Sequence, residues 1–182
     1  LPTDLPTDTS LPSPMVSVTV DVVVLTVHDG RLEVLLVERG FPPYRSAWAL
    51  PGGFVRLDED LDTAASRELR DGTGLTLERA HLEQFRAYGD PDRDPRRRVV
   101  TIAYLALVND PAEPTGGKDA LDARFWPVKV ASTKRGPNLA FDHLTIVQDA
   151  VRGLQSRLES TTVATAFLPE QFTVPQLRSI YE

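Results

Sequence analysis

Residues 53–75, GFVRLDEDLDTAASRELRDGTGL, constrain this chain more than any other stretch, because they place acidic residues at a spacing that a helix would bring to one face. On a helix, positions i, i+3 and i+4 share one face, so Glu68, Asp71 and Gly72 are predicted to point the same way. Carboxylates crowded on one helical face repel one another unless a cation lies between them, and hard oxygen ligands suit Mg²⁺ or Mn²⁺. A helix with this pattern is therefore a candidate metal site.

The spacing of Gly53, Glu59, Arg67 and Glu68 resembles the Nudix box, G-x5-E-x7-R-E-U-x-E-E-x-G-U, in which U is apolar. In the Nudix family, this helix carries carboxylates that hold divalent metal on a nucleoside diphosphate. The resemblance implies an α/β fold, the α/β/α Nudix sandwich with a mixed β-sheet. It implies Glu68 and Asp71 as catalytic residues, and Glu59 beside them as a further ligand of Mg²⁺. It also implies Arg67 as the structural partner that orients Glu59 or Glu68.

Two positions of this motif depart from the family pattern. Asp71 stands where Glu is expected, which shortens the reach of the carboxylate, and Gly72 has no side chain at all. A lost carboxylate removes both a ligand and part of the charge that holds a dication. Glycine also weakens the last helical turn by up to ~1 kcal/mol relative to alanine. We therefore expect weakened metal binding, vestigial catalytic residues and weak or absent hydrolysis, while ligand binding survives.

Length and composition indicate one principal domain and a small additional segment. The 182-residue chain has no cysteine, which excludes disulfides and thiolate chemistry. No apolar run is long enough to span a bilayer and the N-terminus lacks a signal sequence, so a cytoplasmic protein without a membrane partner is expected. Residues 1–14 repeat LPTD and predict a disordered tail, and the expected division is a Nudix domain over 15–160 and a second unit over 161–182.

Alternating apolar residues predict a strand from Val16 to Val27, a hairpin at Asp29-Gly30 and a returning strand from Leu32 to Glu38. A helix is expected to begin near residues 60–62 under an aspartate cap. Further strands are predicted over 81–88, 99–108 and 123–130, the last with Phe125 and Trp126 on opposite faces. The spacing of Leu144, Val147, Val151, Leu154 and Leu158 predicts an amphipathic helix that packs on the sheet.

The segment before the Nudix box, ERGFPPYRSAWALPGGFV, is of a kind that lines the nucleotide pocket in Nudix proteins. Trp48, Gly52 and Gly53 are therefore candidate ligand-binding residues, and glycine permits close backbone approach or a positive φ. Arg39 and Arg56 are candidate phosphate partners. Two simpler alternatives remain open: Trp48, like Tyr44, is a core aromatic residue, and the arginines are ordinary surface residues.

Pro91 lies sixteen residues beyond Leu75, where a proline accompanies the ADP-ribose pyrophosphatases among Nudix hydrolases. That resemblance points to ADP-ribose as the ligand. The basic run that begins at Arg93 and includes residues 96–98 can bind a diphosphate or a nucleic-acid backbone, or it is a solvated hairpin tip. His143 is either a pocket residue or a polar group that begins a helix.

The segment FLPEQFTVPQLRSIYE is unlike the end of an ordinary Nudix hydrolase. Thr173 can cap a helix that opens at residues 174–175, with Leu177 and Ile180 facing inward. Together with LAFDH, this segment is similar to the Nudix-related transcriptional regulators of NAD metabolism. Those proteins join an ADP-ribose-binding Nudix domain to a C-terminal winged helix that binds operator DNA, and they dimerise. Residues 161–182 would then be a linker and the first helix of a truncated winged helix.

The resemblance implies an effector sensor, a homodimer in which ADP-ribose or a related NAD metabolite controls binding to operator DNA. The alternative is a Mg²⁺-dependent ADP-ribose pyrophosphatase in which another carboxylate, such as Glu113 or Asp119, supplies the missing ligand or base. A third possibility is a Nudix-fold interaction protein with no small ligand.

Overall fold

The computed structural model describes residues 15–76, 81–117, 119–131, 133 and 136–158, and seven strands and three helices lie within them. The strands are β1 (Ser17–His28), β2 (Arg31–Arg39), β3 (Trp48–Ala49), β4 (Gly52–Phe54), β5 (His81–Tyr88), β6 (Val99–Leu107) and β7 (Ala120–Pro127). The helices are α1 (Leu61–Thr73), α2 (Val128–Ala131) and α3 (His143–Leu158). The predicted tail over 1–14 and the predicted linker and helix over 161–182 lie outside the described residues.

The strands form one mixed sheet, as expected. Its main path runs β3-β2-β1-β6-β5, while β4 pairs with β1 and β7 pairs with β2. The central β1 is parallel to β6 and antiparallel to β2 and β4. The predicted hairpin joins β1 and β2 through Asp29 and Gly30, which both have positive φ, as a type I′ turn requires.

Both faces of β1 are buried, because each face packs against a helix. Val20, Val22 and Val24 pack with α1, while Val23 and Leu25 pack with α3. Strand side chains alternate between faces, so an almost continuous run of valines is what a strand buried on both sides needs. The α/β/α sandwich is therefore confirmed. Phe125 and Trp126 also pack in opposite layers, as predicted.

The helix of the Nudix box begins as predicted. The Asp60 carboxylate accepts the Thr63 N–H at 2.7 Å and caps the first turn, and Gly74 ends the helix in the left-handed conformation. One strand is displaced from its prediction: the strand expected over 123–130 begins at Ala120 and ends at Pro127, and α2 follows it. Proline has no N–H to donate to a ladder, so the strand stops where its last pair forms.

The buried stripe of α3 consists of Ile146, Val147, Ala150 and Leu154, with Val151 packed against it, which places the predicted amphipathic helix against the sheet. Leu144, predicted to share this stripe, is partly buried and lies outside the core cluster. Within the described part of the chain, no helix combines the length and apolarity needed to cross a membrane.

Candidate ligand site

A cavity of about 450 Å³ lies beside the first half of β1, on the face of the sheet that carries α3. Three arginines and three phenylalanines line the cavity, and its floor is polar. The lining residues used below are Thr19, Asp21, Arg39, Phe41, Gly52, Gly53, Phe54, Arg93, Asp94, Arg96, Asp119, Phe141 and His143. This mixture of cations, carboxylates, aromatic rings and neutral polar groups suits a ligand with anionic, aromatic and hydroxyl parts.

The floor of the cavity is polar because β1 and β6 place three polar side chains next to each other. Thr19 and Asp21 share one face of β1, and the parallel register sets Thr19 beside Thr101 of β6. The Thr101 hydroxyl donates to Asp21 Oδ2 at 2.6 Å. The Thr19 hydroxyl is buried and has no hydrogen-bond partner among the described residues.

A buried ion-pair network closes one side of the cavity. The Arg93 guanidinium donates two hydrogen bonds to Asp142, Nε to Oδ2 at 2.9 Å and Nη2 to Oδ1 at 2.7 Å. The same Nη2 lies 3.5 Å from Asp21 Oδ2, and the Arg93 side chain is only 3 % exposed. Arg93 therefore ties the loop after β5 both to the floor and to the residue that precedes α3. This burial excludes, for Arg93, the alternative that the basic run is a solvated hairpin tip.

His143, the first residue of α3, is buried in the same network. Its Nδ1 accepts the Leu50 N–H at 2.9 Å, and its Nε2 lies 3.5 Å from Asp21 Oδ1. Because Nδ1 accepts a hydrogen bond, the proton of the neutral ring sits on Nε2. Burial lowers the pKa of His143, and the neighbouring Asp21 charge opposes this shift only in part. A neutral imidazole therefore joins α3 to the cavity.

Arg39 and Arg96 differ in how their charges are satisfied. Arg96 binds the Asp94 carboxylate through Nε at 3.0 Å and Nη2 at 2.7 Å. Arg39 donates Nε–H to the Pro43 carbonyl at 2.9 Å and has no ion pair with a carboxylate of the described residues. Burial, followed by the charge of Arg96, lowers the pKa of Arg39. Arg39 is thus a partly desolvated cation that an anionic ligand would stabilise.

Aromatic rings surround these cations. The Arg39 guanidinium lies 4.9 Å from the centre of the Phe141 ring, and Arg96 lies 5.2 Å from Phe54 and 5.7 Å from Phe141. Phe41, also in the wall, is 58 % exposed. Flat apolar surface and guanidinium groups therefore stand side by side at the cavity, an arrangement that can stack a base while it binds phosphate.

The glycines of the predicted site line the cavity without a positive φ, which occurs elsewhere, at Gly30 and Gly74. A Cβ on Gly52 would lie 2.3 Å from the Val20 carbonyl oxygen, so glycine lets β4 pair closely with β1. A Cβ on Gly53 would lie 2.5 Å from Glu68 Oε1, so glycine leaves room for that carboxylate.

The carboxylates of the Nudix box are held by Arg67. Its Nε donates to Glu59 Oε2 at 2.8 Å, its Nη1 pairs with Glu68, and its Nη2 donates to the Phe54 carbonyl at 3.1 Å. The hydrogen bond from Arg67 lowers the pKa of Glu59 to about 2, whereas burial raises the pKa of Glu68. Arg67 thus pairs with both glutamates, whereas the resemblance implied a pairing with one or the other.

These residues do not fit a bound Mg²⁺ ion. Asp71 is about half exposed and pairs with Arg70 at 3.2 Å, and Gly72 contributes no ligand. Within the described ranges, no group of three or more Asp, Glu, His or Cys side chains is positioned to hold a metal. Glu59 and Glu68 offer their oxygens to a guanidinium.

The remaining predicted residues lie elsewhere. Trp48 packs edge-on against Trp126, with ring centres 5.2 Å apart, at the margin of the core and outside the cavity lining. Arg56 lines a second cavity of about 510 Å³ together with Glu59 and Arg67. Pro91 is an exposed turn residue. The structure therefore divides most of the predicted site residues between two cavities and leaves Trp48, Pro91, Glu68 and Asp71 in neither lining.

Of the two loop carboxylates considered as substitutes, Asp119 lines the first cavity, while Glu113 is exposed and outside it. Sequence reasoning missed Thr19, Asp21 and Phe141. A signal for the first two was available, because they are polar residues that alternate with valines in the first half of a buried strand.

The chain belongs to the Nudix family, because the NUDIX domain model matches residues 16–148. It is 36% identical over 173 residues to the ADPR responsive transcriptional repressor NtrR of Acinetobacter baylyi, covering 94% of this chain. The chain spans 66% of the length of that relative. It is also 37% identical over 128 residues to the ADP-ribose pyrophosphatase of Methanocaldococcus jannaschii, covering 68% of this chain and 71% of the relative.

The fold is similar to that of Shewanella oneidensis NrtR in two solved structures. The structure of its NUDIX domain complexed with ADP ribose has a TM-score of 0.70 and 33% identity, covering 81% of this chain and 92% of the other. The structure of NrtR complexed with a 27mer DNA has a TM-score of 0.76 and 32% identity, covering 90% of this chain and 74% of the other.

Proposed function

We propose that this chain is the effector-binding part of a transcriptional regulator of NAD metabolism, and that its effector is ADP-ribose or a related NAD metabolite. The observation that carries this proposal is Arg39, a partly desolvated guanidinium that faces the cavity without a carboxylate partner in the described chain. A diphosphate is the ligand chemistry that such a group favours. The similarity to an ADPR responsive repressor and to a Nudix domain complexed with ADP ribose supports the choice of effector.

Different groups in the cavity lining suit the diphosphate, the adenine and the ribose of ADP-ribose. The diphosphate would lie against Arg39 and Arg96, and the adenine would stack on Phe54 or Phe141. Asp21 at the floor would repel phosphate, so the uncharged ribose belongs there. A ligand bound in this way would use each kind of surface that the cavity offers.

Binding without hydrolysis is the second element of the proposal. The Nudix box lacks a carboxylate at Gly72, and its two glutamates are both engaged by Arg67. Phosphoryl chemistry that depends on a bridging metal requires free carboxylate oxygens at that helix. A receptor benefits from this arrangement because an effector that is destroyed on binding cannot report its own concentration.

Regulation would require the effector to favour one conformation through its difference in affinity for two states. The Arg93–Asp142 ion pair and His143 join the cavity wall to the start of α3. We propose that this helix moves when the cavity binds its effector and so changes the position of DNA-binding modules held by a homodimer in the cytoplasm. Support for operator DNA as a partner comes from the relative named as a transcriptional repressor and from the neighbour solved with DNA.

The alternative function is a Mg²⁺-dependent ADP-ribose pyrophosphatase. The similarity to an archaeal enzyme of that name favours it, as does Asp119, a carboxylate in the cavity wall. In that case Glu59, Glu68 and Asp71 would have to leave their arginine partners to bind metal. The two functions differ in the fate of the bound ligand.

Replacing Arg39 with methionine is expected to weaken ADP-ribose binding by about 10- to 100-fold, because hydrogen bonds to charged groups contribute about 1.5–3 kcal/mol. Isothermal calorimetry with ADP-ribose measures this change. The loop after β2 should keep its structure, since the Arg39 side chain makes only one hydrogen bond to it and the backbone hydrogen bonds of Arg39 remain, and the melting temperature checks that point.

Arg45→Met is the matched control. Arg45 lies in the same loop, is exposed and lines none of the cavities described above, so its loss changes the net charge equally without touching the site. Equal weakening by both variants would show that overall charge, rather than a contact at Arg39, attracts the ligand. No heat from the wild-type chain at millimolar ADP-ribose would exclude the proposed effector.

A further inference from the structure

The hydroxyl of Thr19 is chemically unsatisfied in the ligand-free protein. The residue is 7 % exposed, lines the cavity floor, and its Oγ1 has no hydrogen-bond partner in the described part of the chain. Its neighbour Thr101 is different: that hydroxyl donates to Asp21 at 2.6 Å and also lies 3.3 Å from the Thr19 carbonyl oxygen. Of these two hydroxyls on paired strands, that of Thr101 is hydrogen-bonded and that of Thr19 is not.

A buried hydroxyl without a partner destabilises a folded protein, and native structures pair nearly all such groups. The other buried side-chain atom without a partner in the described residues is Trp126 Nε1, which belongs to a tryptophan packed against Trp48, away from the cavity wall. Thr19 therefore stands out because the residue that carries this unsatisfied group lines a cavity that a ligand can enter. A valine in its place would have the same shape without this cost.

The surroundings of Thr19 define the group that would satisfy it. A hydroxyl both donates and accepts, so it can pair with a ligand group that does the same. Asp21, two residues along the same strand face, is a carboxylate that disfavours phosphate here, and its neighbour Arg93, 3.5 Å away, is already bound to Asp142 by two hydrogen bonds. A sugar hydroxyl fits both conditions.

We infer that Thr19 is a specificity-determining residue whose hydroxyl binds a ribose hydroxyl of the ligand. This inference rests on the proposed function, since it needs the cavity to bind ADP-ribose. The unsatisfied group destabilises the free protein, and the ligand supplies its partner. Selectivity follows because a ligand that lacks a hydroxyl at this point leaves Thr19 buried and unpaired.

Thr19→Val in the 182-residue chain tests the inference with two readouts. The melting temperature of the ligand-free variant should equal or exceed that of the wild type, because an unpaired buried group has been removed without a change of shape. Calorimetry should show ADP-ribose binding weakened by about 5- to 100-fold, the range expected when a buried ligand hydroxyl loses its partner. If Thr19 had only a structural role, Thr19→Val would lower the melting temperature, and any loss of ADP-ribose affinity would accompany that loss of stability.

Two variants make the comparison specific. Thr19→Ser keeps the hydroxyl and should retain ADP-ribose affinity to within about threefold. Thr26→Val makes the same chemical change at a buried threonine of β1 that is outside the cavity lining, and it should leave affinity unchanged. Wild-type affinity in Thr19→Val, or an equal loss in Thr26→Val, would overturn the inference.

Titration with ADP locates the ribose. If Thr19→Val weakens ADP-ribose but not ADP, the hydroxyl binds the terminal ribose; if it weakens both equally, it binds the ribose of adenosine. Both outcomes support the inference. Failure of the wild type to bind ADP-ribose would refute the proposed function itself, whereas binding that is unaffected by Thr19→Val would refute only the role of this residue.

Discussion

Gly52→Ala destabilises the protein by about 1–3 kcal/mol or more, the cost of forcing an extra carbon into a packed site. The added Cβ would lie 2.3 Å from the Val20 carbonyl oxygen, 2.5 Å from Asp21 Oδ1 and 3.0 Å from Asp21 Cα. Two of these atoms are backbone atoms of the central strand, which pairs with β4 at this point, so the clash cannot be relieved by a side-chain rotation. Relief requires β4 to separate from β1.

Gly72→Ala is the matched control and should act in the opposite direction. Nothing lies within 4 Å of a Cβ built on Gly72, and the residue is in α1 with an ordinary helical φ. Alanine in a helix is more favourable than glycine by about 0.5–1 kcal/mol, so this variant should be more stable than the wild type. Urea unfolding of both variants measures the free energies. A stabilised Gly52→Ala, or a Gly72→Ala as damaged as Gly52→Ala, would contradict the packing described here.

Arg93→Met is expected to lower the free energy of unfolding by about 3–5 kcal/mol, because it leaves buried carboxylates without their cation. The guanidinium is 3 % exposed and serves Asp142 through two hydrogen bonds and Asp21 through a contact at 3.5 Å. Arg93→Lys should recover only part of the loss, since an ammonium group cannot make the same two-pronged contact.

Two further variants locate the cause of this loss. Arg93→Met combined with Asp142→Leu should be less destabilised than the sum of the single variants, because the second change removes a carboxylate that the first left unpaired. Arg152→Met removes an exposed partner of Asp149, and such pairs contribute about 0–1 kcal/mol. Full additivity of the first pair, or an equal loss at Arg152, would show that burial of the ion pair does not explain the effect.

Local patterns predicted most of the secondary structure. The valine-rich strand, the Asp29-Gly30 turn and the Asp60 cap each depend on interactions within a few residues, so their signals are present in short stretches of sequence. The strand expected over 123–130 is displaced by three residues from β7, because its apolar pattern continues past Pro127, where the hydrogen-bonded ladder ends.

The cavity was harder to predict, because its parts meet only through the tertiary structure. Asp21 and Thr101 are eighty residues apart in sequence and are joined by the parallel pairing of β1 and β6. Arg93 meets Asp142 across forty-nine residues. Periodicity also cannot distinguish a core aromatic residue from a ligand-binding one, which is why Trp48 was a reasonable candidate although it packs against Trp126.

The Nudix box has a more specific meaning once these contacts are known. Gly72 and Asp71 alone suggested a weakened metal site. The structure adds that Arg67 binds both Glu59 and Glu68, so the acidic groups that remain are neutralised from within the protein. The cavity with the unpaired Arg39 lies on the α3 face of β1, while α1 packs on the other face. The two sites meet at β4, where Gly53 and Phe54 line the cavity while Glu68 lies beside Gly53 and Arg67 donates to the Phe54 carbonyl.

The central claim is that the chain binds ADP-ribose and leaves it intact. The most direct test is to saturate the protein with ADP-ribose in millimolar Mg²⁺, follow binding by calorimetry, and recover the nucleotide for chromatography. We predict saturable binding and recovery of unchanged ADP-ribose. Release of AMP and ribose phosphate well above the uncatalysed background, abolished by Glu68→Gln, would contradict the claim and establish the pyrophosphatase instead.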